Sequence, residues 1–361
     1  MKIVIDFGHP AHVHYFKHFI KEMTDNGHEI MCFARERYPI QELLNAYGIE
    51  TINRGRGSNK LVGKALNFFR VVWFIYYHSR KFKPDILMSF SGIYTTFAAV
   101  LLGAKAISLD DTETASKVQY ICRPFIDLVL TPACYHLELG KRHIRFPGTL
   151  DMAYLHPDRY TPDDSVLREL GVEKGEKFAI VRFVSWNAHH DVGCKGMTLA
   201  NKIRLVKELS GIMRVFVTSE GAVPDELREH QCSISPEKMH DALYFAHLIA
   251  GESGTMSSEA AILGTSAVFI NNARLGYLEF LSDIGLISMY TDSSQDQERA
   301  ILKAIEIAKN DHLKEENNKV IQGSLSKMID FSSFLVWLVE HYPQSKRDIL
   351  SVGWSFDRFM T

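Results

Sequence analysis

Cysteine is scarce in this sequence and never occurs in a paired spacing: Cys32, Cys122, Cys134, Cys194 and Cys232 are widely scattered, with no Cys-x-x-Cys. That excludes a disulfide framework, a zinc ribbon and a dithiol redox motif, and it points to a reduced, cytoplasmic setting. Charge of either sign is also lacking in excess, since 41 Lys and Arg meet 43 Asp and Glu for a formal net charge of −2. No nucleic-acid partner is expected on that basis. Long apolar runs are missing as well. The most apolar stretch, Leu66 to Tyr77, is interrupted by Asn67 and Arg70 and falls short of the roughly 20 residues that span a bilayer. At the start, Lys2 to Phe7 is too short for the apolar core of a secretory signal and runs straight into Gly8-His9-Pro10, so the protein is expected to begin at Met1.

What is present is a long chain with regular alternation. The 361 residues, 46% of them hydrophobic, suffice for two domains that each bury a core. Strand-like runs alternate with helical ones in two series, the pattern of parallel sheets covered on both faces. The first series begins at Ile3 to Phe7 and ends with Leu128 to Thr131. The second begins at Phe178 to Val181 and includes strands at Val215 to Thr218, Ala246 to Ala250 and Ser266 to Ile270. Between them, the stretch from Arg145 to about Gly171 is rich in Pro, Asp and Tyr and shows little periodicity. The expected division is therefore a first domain at 1–150, a linker at 151–175, a second domain at 176–335 and a helical segment at 336–361 that packs back on the first. The fold class is α/β, two doubly wound domains facing each other across a cleft.

In such sheets ligands bind beyond the carboxyl ends of the strands, and that is where the polar residues fall. Gly8, His9 and His12 follow the first strand, Ser89-Phe90-Ser91-Gly92 a later one, and Asp110, Asp111 and Glu113 the next. In the second domain, Arg182 leads into Ser185, Trp186, Asn187 and His190, while Ser219 closes the following strand. Residues 251–265 are the most informative. They join two strands through a turn and a helix that opens with Ser253, Gly254 and Thr255. Free N–H groups and the positive end of a helix dipole attract an anion there, and small residues let it approach. Glu259, one turn further in, can accept hydrogen bonds from ribose hydroxyls. The same pattern also describes an ordinary capped helix.

Gly251 to Ile270 resembles the donor-binding signature of the glycosyltransferase-B (GT-B) superfamily, which includes UDP-N-acetylglucosamine 2-epimerases and the peptidoglycan N-acetylglucosaminyltransferase. Asp110 to Glu113, Arg182 to Gly193 and Gly251 to Gly264 together resemble, over nearly the whole chain, a bacterial and archaeal domain-of-unknown-function family within it. The resemblance implies two Rossmann-like domains, with Ser253 contacting a phosphate, Gly254 and Thr255 completing the phosphate loop, and Glu259 holding the ribose. It also exposes departures. An epimerase carboxylate is expected where this chain has Ser89-Phe90-Ser91-Gly92, and another near Thr114 to Gln119, where none stands. Only Asp111 occupies an acid's position, and each missing proton-transfer group forfeits on the order of 10²- to 10⁴-fold in rate.

The expected activity is accordingly nucleotide-sugar-dependent glycosyl transfer in the synthesis of a surface polysaccharide or glycolipid. The donor is a nucleotide-sugar, with a UDP-sugar the leading candidate, and the acceptor a glycan or a lipid-linked group. His12 or Asp111 would deprotonate the acceptor hydroxyl. Arg182 would neutralise the departing diphosphate, aided by Ser185, Trp186 and Asn187. The alternatives are a UDP-N-acetylhexosamine 2-epimerase and a catalytically inactive nucleotide-sugar-binding scaffold. No cofactor and no metal is expected, because the clustered histidines include no His-Glu-x-x-His. Residues 64–83 read either as a helix packed on a sheet or, with their flanking lysines and arginines, as one lying on an anionic membrane surface at the inner face of the membrane.

Overall fold

Strands rich in Val, Ile, Leu and Phe and apolar on both faces can be covered only by helices on both sides, and the twelve strands described below pair with one another in parallel throughout. The computed structural model describes residues 1–57, 61–115, 120–184 and 196–360. These form two units, Met1–His156 with Ser326–Thr361, and Pro157–Leu325.

The first unit contains β1 (Lys2–Phe7), α1 (Pro10–Asp25), β2 (Glu29–Ala34), α2 (Ile40–Ala46), β3 (Ile52–Asn53), α3 (Leu61–Ser79), β4 (Ile86–Phe90), α4 (Ile93–Leu102), β5 (Lys105–Leu109), β6 (Leu128–Pro132) and β7 (His143–Phe146). Its sheet has seven strands in the order β3-β2-β1-β4-β5-β6-β7. The order reverses between β1 and β4, which opens a crevice at their carboxyl ends. Helix α3 turns Val71 and Ile75 inward onto Val4, Phe33 and Leu87. Its other side leaves Leu66, Phe69, Trp73 and Tyr77 between 50% and 69% exposed. Residues 64–83 thus pack on a sheet and also present an uncovered aromatic stripe. Among the described residues no helix is long and apolar enough to cross a membrane.

The second unit contains α5 (Ser165–Leu170), β8 (Phe178–Phe183), α6 (Leu199–Ser210), β9 (Arg214–Ser219), α7 (Met239–Phe245), β10 (Leu248–Gly251), α8 (Gly254–Ile262), β11 (Ser266–Ile270), α9 (Gly276–Asp283), β12 (Ile287–Tyr290), α10 (Ser294–Lys309) and α11 (Leu313–Leu325). Its five strands run β12-β11-β10-β8-β9, so the reversal lies between β8 and β10. Leu205 and Val206 of α6 and Ala300 and Ile301 of α10 cover Val181, Val217, Ala250 and Val268.

The boundaries differ from those expected at 150 and 335. The chain returns to the first unit at Ser326, ahead of α12 (Phe331–Glu340) and α13 (Gln344–Ile349). Phe331 lies 4.4 Å from Phe146 between ring centroids, and the Ser332 hydroxyl donates to the Ala153 carbonyl at 2.8 Å. The expected linker also contains regular structure. There α5 is six residues long; just before the linker, β7 alternates buried Ile144 and Phe146 with more exposed His143 and Arg145, a period-2 signal only four residues long.

Where β10 ends, the backbone leaves no room for a side chain. Gly251 has φ 149°, and a Cβ there would lie 2.0 Å from the Arg182 carbonyl oxygen of β8. Gly251→Ala is expected to destabilise the second unit by about 3 kcal/mol or more. Differential scanning calorimetry should show its transition lowered by roughly 6 °C or more; an unchanged transition would contradict this packing.

Candidate functional site

At the reversal point of the first sheet, the loop leaving β1 supplies His9 and His12. His9 caps α1, its Nδ1 accepting from the Ala11 N–H at 3.3 Å. The Nδ1 of His12 accepts from the Gly8 N–H at 3.2 Å, and its ring stacks on Phe90 at 4.7 Å. Burial, then the positive charge of His9, Arg54 and Arg37, hold His12 well below the ordinary histidine pKa. The ring is therefore neutral near pH 7, and with Nδ1 accepting, its proton belongs on Nε2. His12 is thereby a hydrogen-bond donor through Nε2. The expectation for His12 is a general base, and in this geometry its unprotonated ring nitrogen accepts from a backbone donor.

The carboxylates stand after β5. Asp110 is fully buried, accepting from the Thr112 N–H at 2.9 Å and the Ser91 hydroxyl at 3.3 Å. Asp111 is also buried and accepts from the Thr112 hydroxyl at 2.9 Å and the Tyr15 hydroxyl at 3.4 Å. Desolvation, then the neighbouring charge of Asp110, raise Asp111 to about 8, the Thr112 hydrogen bond opposing and Asp151 and Glu113 adding to the rise. Two carboxylates so close and so dry do not both ionise readily. Nearby, the Tyr135 hydroxyl is buried without a hydrogen-bond partner among the described residues, a state that costs about 1–3 kcal/mol unless a ligand answers it. The loop after β4, which lacks the epimerase acid, instead stacks Phe90 on His12 and aims Ser91 at Asp110. Ser91 and Gly92 both have positive φ, and a Cβ on Gly92 would lie 2.8 Å from the Ser108 hydroxyl. Glu113 accepts from the His136 N–H at 3.1 Å.

In the second unit, Ser253 caps α8, its hydroxyl accepting from the Met256 N–H at 3.4 Å. Gly254 follows where a Cβ would lie 2.9 Å from the Tyr277 hydroxyl oxygen, and Thr255 is half-buried beside it. Glu259 is buried, its carboxylate 3.1 Å from Nε2 of buried His240. A guanidinium nitrogen of Arg182 lies 3.6 Å from the Glu220 carboxylate, and the Ser219 hydroxyl accepts from the Gly221 N–H. Ser185, Trp186, Asn187 and His190 lie outside the described residues. Among the described residues, no group of three His, Cys, Asp or Glu side chains is arranged to hold a metal ion.

Sequence reasoning missed Glu252 and Lys202. Glu252 is 4% exposed and accepts from the Val184 N–H at 2.9 Å, the Met197 N–H at 2.7 Å and Lys202 Nζ at 3.0 Å. Its side chain joins the end of β8 to the start of the phosphate-loop segment, across the point where strand order reverses. Lys202 sits on the inward face of α6 among Leu205, Val206 and Leu209, and a lysine in that apolar stripe is the signal that could have found it. His240, Tyr15 and Tyr135 give no signal in the sequence.

Two outcomes test these assignments. Lys202→Met leaves the buried Glu252 without its cation and is expected to destabilise the second unit by about 3–5 kcal/mol, read from its denaturation midpoint; a loss below about 1 kcal/mol would contradict the buried pairing. Asp111 is raised in the folded protein, so folding retains a proton that the unfolded chain gives up. The resulting stability is present at low pH and lost as pH rises from about 4 to about 8. Asp111→Asn removes that dependence and is expected to be more stable than the wild type by up to about 4 kcal/mol at pH 7. Melting curves of both proteins across this range would show the gap widen with pH; parallel curves would refute the raised pKa.

Comparison with known proteins places the chain in a family. The chain belongs to the family described as "Protein of unknown function (DUF354)", whose model matches residues 1–329. The uncharacterized protein MJ0665 of Methanocaldococcus jannaschii is 25% identical over 279 residues, 74% of this chain and 81% of that protein. Among solved structures, S. aureus MnaA with UDP is similar at a TM-score of 0.67 and 12% identity, covering 95% of this chain and 97% of that one. The UDP-GlcNAc 2-epimerase of Methanocaldococcus jannaschii gives 0.59 and 13%, covering 90% and 100%. The glycosyltransferase VinC with dTDP gives 0.59 and 12%, covering 96% and 100%. That likeness shows the fold, two Rossmann-like α/β domains of the GT-B class.

Proposed function

We propose that this member of the DUF354 family is a glycosyltransferase that takes a nucleotide-sugar, with a UDP-sugar as the leading donor, and passes the sugar to a glycan or lipid-linked acceptor in surface polysaccharide or glycolipid synthesis. The observation that carries the reading is Asp111, a buried carboxyl group poised near pH 8 at the strand reversal of the first sheet. A base with that pKa is strong when ionised and still accessible near neutral pH. Asp111 takes the acceptor hydroxyl's proton as the oxygen attacks the anomeric carbon and the nucleoside diphosphate departs. Neutral His12 donates a hydrogen bond through Nε2 and carries no proton away. In the second unit, the N-terminal N–H groups of α8 with Ser253, Gly254 and Thr255 receive the diphosphate, Arg182 offsets its charge, and Glu259, oriented by His240, takes the ribose hydroxyls. Ser185, Trp186, Asn187 and His190 complete the donor contacts in this proposal.

The likeness to UDP-N-acetylglucosamine 2-epimerases keeps epimerisation as the second reading, and the absence of a carboxylate after β4 argues against it. The test is turnover of UDP-N-acetylglucosamine in D2O together with transfer from it to glycan and polyprenyl-phosphate acceptors. Asp111→Asn is expected to lower transfer by about 10²- to 10⁴-fold while leaving UDP affinity within about twofold. The wild-type rate should rise with pH through about 8. Deuterium at C2 of recovered sugar would establish the epimerase reading instead, and UDP binding without either reaction would favour the scaffold.

For a lipid-linked acceptor, the exposed face of α3 is proposed to rest on an anionic bilayer. Leu66, Phe69, Trp73 and Tyr77 fall on one side of the helix, and Lys64, Arg80, Lys81 and Lys83 surround them. The protein is expected to sediment with phosphatidylglycerol vesicles at low salt and far less with phosphatidylcholine. Phe69→Ser with Trp73→Ser should abolish that sedimentation; binding unaffected by the pair would refute the contact.

A further inference from the structure

A group of arginines stands at the carboxyl ends of β1, β2 and β3 that the proposed proton transfer does not use. Backbone pairing brings them together: the Arg35 N–H donates to the Phe7 carbonyl at 2.9 Å, and the Arg54 N–H to the Ala34 carbonyl at 2.9 Å. Arg54 is 3% exposed, donates from Nε to Asp6 at 2.5 Å, and lies over Tyr94 at 5.0 Å. Its Nη2 would be 3.5 Å from a Cβ on Gly8, which sets it beside the start of α1. Arg35 lies against Gly57, where a Cβ would come within 2.6 Å of its Nη2. Arg37 and Arg54 are both in electrostatic reach of Arg35 and of His12. From α3, Arg70 braces the loop after β3 by donating to the Arg54 carbonyl at 3.0 Å and the Arg56 carbonyl at 3.2 Å.

Asp6 answers Arg54, and Glu36 answers the exposed Arg56 at 2.7 Å. The Arg35 Nε, by contrast, is buried and has no hydrogen-bond partner among the described residues. Gathering Arg35, Arg37 and Arg54 raises mutual repulsion, which burial of Arg35 increases. The first turn of α1 adds a positive dipole end without an acidic residue. Guanidinium groups are planar donors that match the geometry of phosphate oxygens.

We propose that Arg35, Arg37 and Arg54, with the N-terminus of α1, form a binding site in the first unit for a phosphoryl group. The anion is a phosphate monoester or diphosphate carried by the acceptor, separate from the diphosphate received at α8. The existence of the site stands without the transferase reading; its assignment to the acceptor rests on that reading.

The experiment is calorimetric titration of the full-length protein with inorganic phosphate and with pyrophosphate, alone and at saturating UDP, for the wild type, Arg35→Gln and Arg37→Gln. Both substitutions spare the Arg54–Asp6 pair, and circular dichroism reports folding. The expected result is saturable phosphate binding that persists with UDP bound, is weakened about tenfold or more by each substitution, and leaves UDP affinity within about twofold. Wild-type protein that binds neither anion, or binding that survives both substitutions, overturns the site. Loss of phosphate binding at saturating UDP assigns the anion to the donor's own diphosphate and overturns a separate acceptor site. Failure of the transferase reading would appear differently, as intact phosphate binding in a protein that never transfers a sugar. Should Arg35→Gln fail to fold, the half-exposed Arg37 decides the matter by itself.

Discussion

Charge buried at the carboxyl edge of a parallel sheet must find its partner within the fold, and much of this protein's local architecture answers that demand. Asp6 has Arg54, Glu252 has Lys202 and two backbone N–H groups, and Glu259 has His240. The first two sit near strand ends, and the third joins α7 to α8. Removing one partner from such a group is far more damaging than the pair is stabilising. These residues therefore fix loops in place as well as offering chemistry.

Asp111 is the exception that gives the first unit its character. Its neighbours are hydroxyl groups and other carboxylates and, among the described residues, no cation is bonded to it in the manner of Asp6 or Glu252. Hydroxyl donors stabilise its ionised form only in part, so the proton is held into the neutral range. The pKa values of His12 and Asp111 are displaced in opposite directions from ordinary histidine and aspartate, the pattern on which the proposed division into donor and base rests. The stability lost by ionising Asp111 accords with the way destabilised groups concentrate at reactive sites.

Most of the fold is legible in the amino-acid sequence itself. Apolar runs such as Ile3 to Phe7 and Ser266 to Ile270 are bounded by glycine or polar clusters, and the helices between them keep a clear apolar period. What escapes are short elements whose burial comes from neighbours: the two-residue β3, the four-residue β7 and the helix α9. The unit boundaries escape for a related reason, because the docking of Phe331 on Phe146 is a long-range contact with no local signature. At the sites, Asp110, Asp111, His12 and the Ser253 loop can be read from their positions after strands. Their partners cannot. His240, Tyr15 and Tyr135 are ordinary helical or loop residues in sequence, and only tertiary packing brings them to a carboxylate or leaves a hydroxyl unanswered. The tautomer of His12 likewise depends on one backbone hydrogen bond from Gly8.

The proton transfer proposed for the first unit turns on whether Asp111 holds its proton to near neutrality. The carboxyl carbon resonance of Asp111 reports this directly, followed by NMR in protein labelled with ¹³C at aspartate and identified by its absence in Asp111→Asn. An inflection near pH 8 is expected, well above aspartates that titrate in the ordinary range of about 4. An inflection near that ordinary value would contradict it, leaving Asp111 a weak base at physiological pH and removing the physical ground for its role.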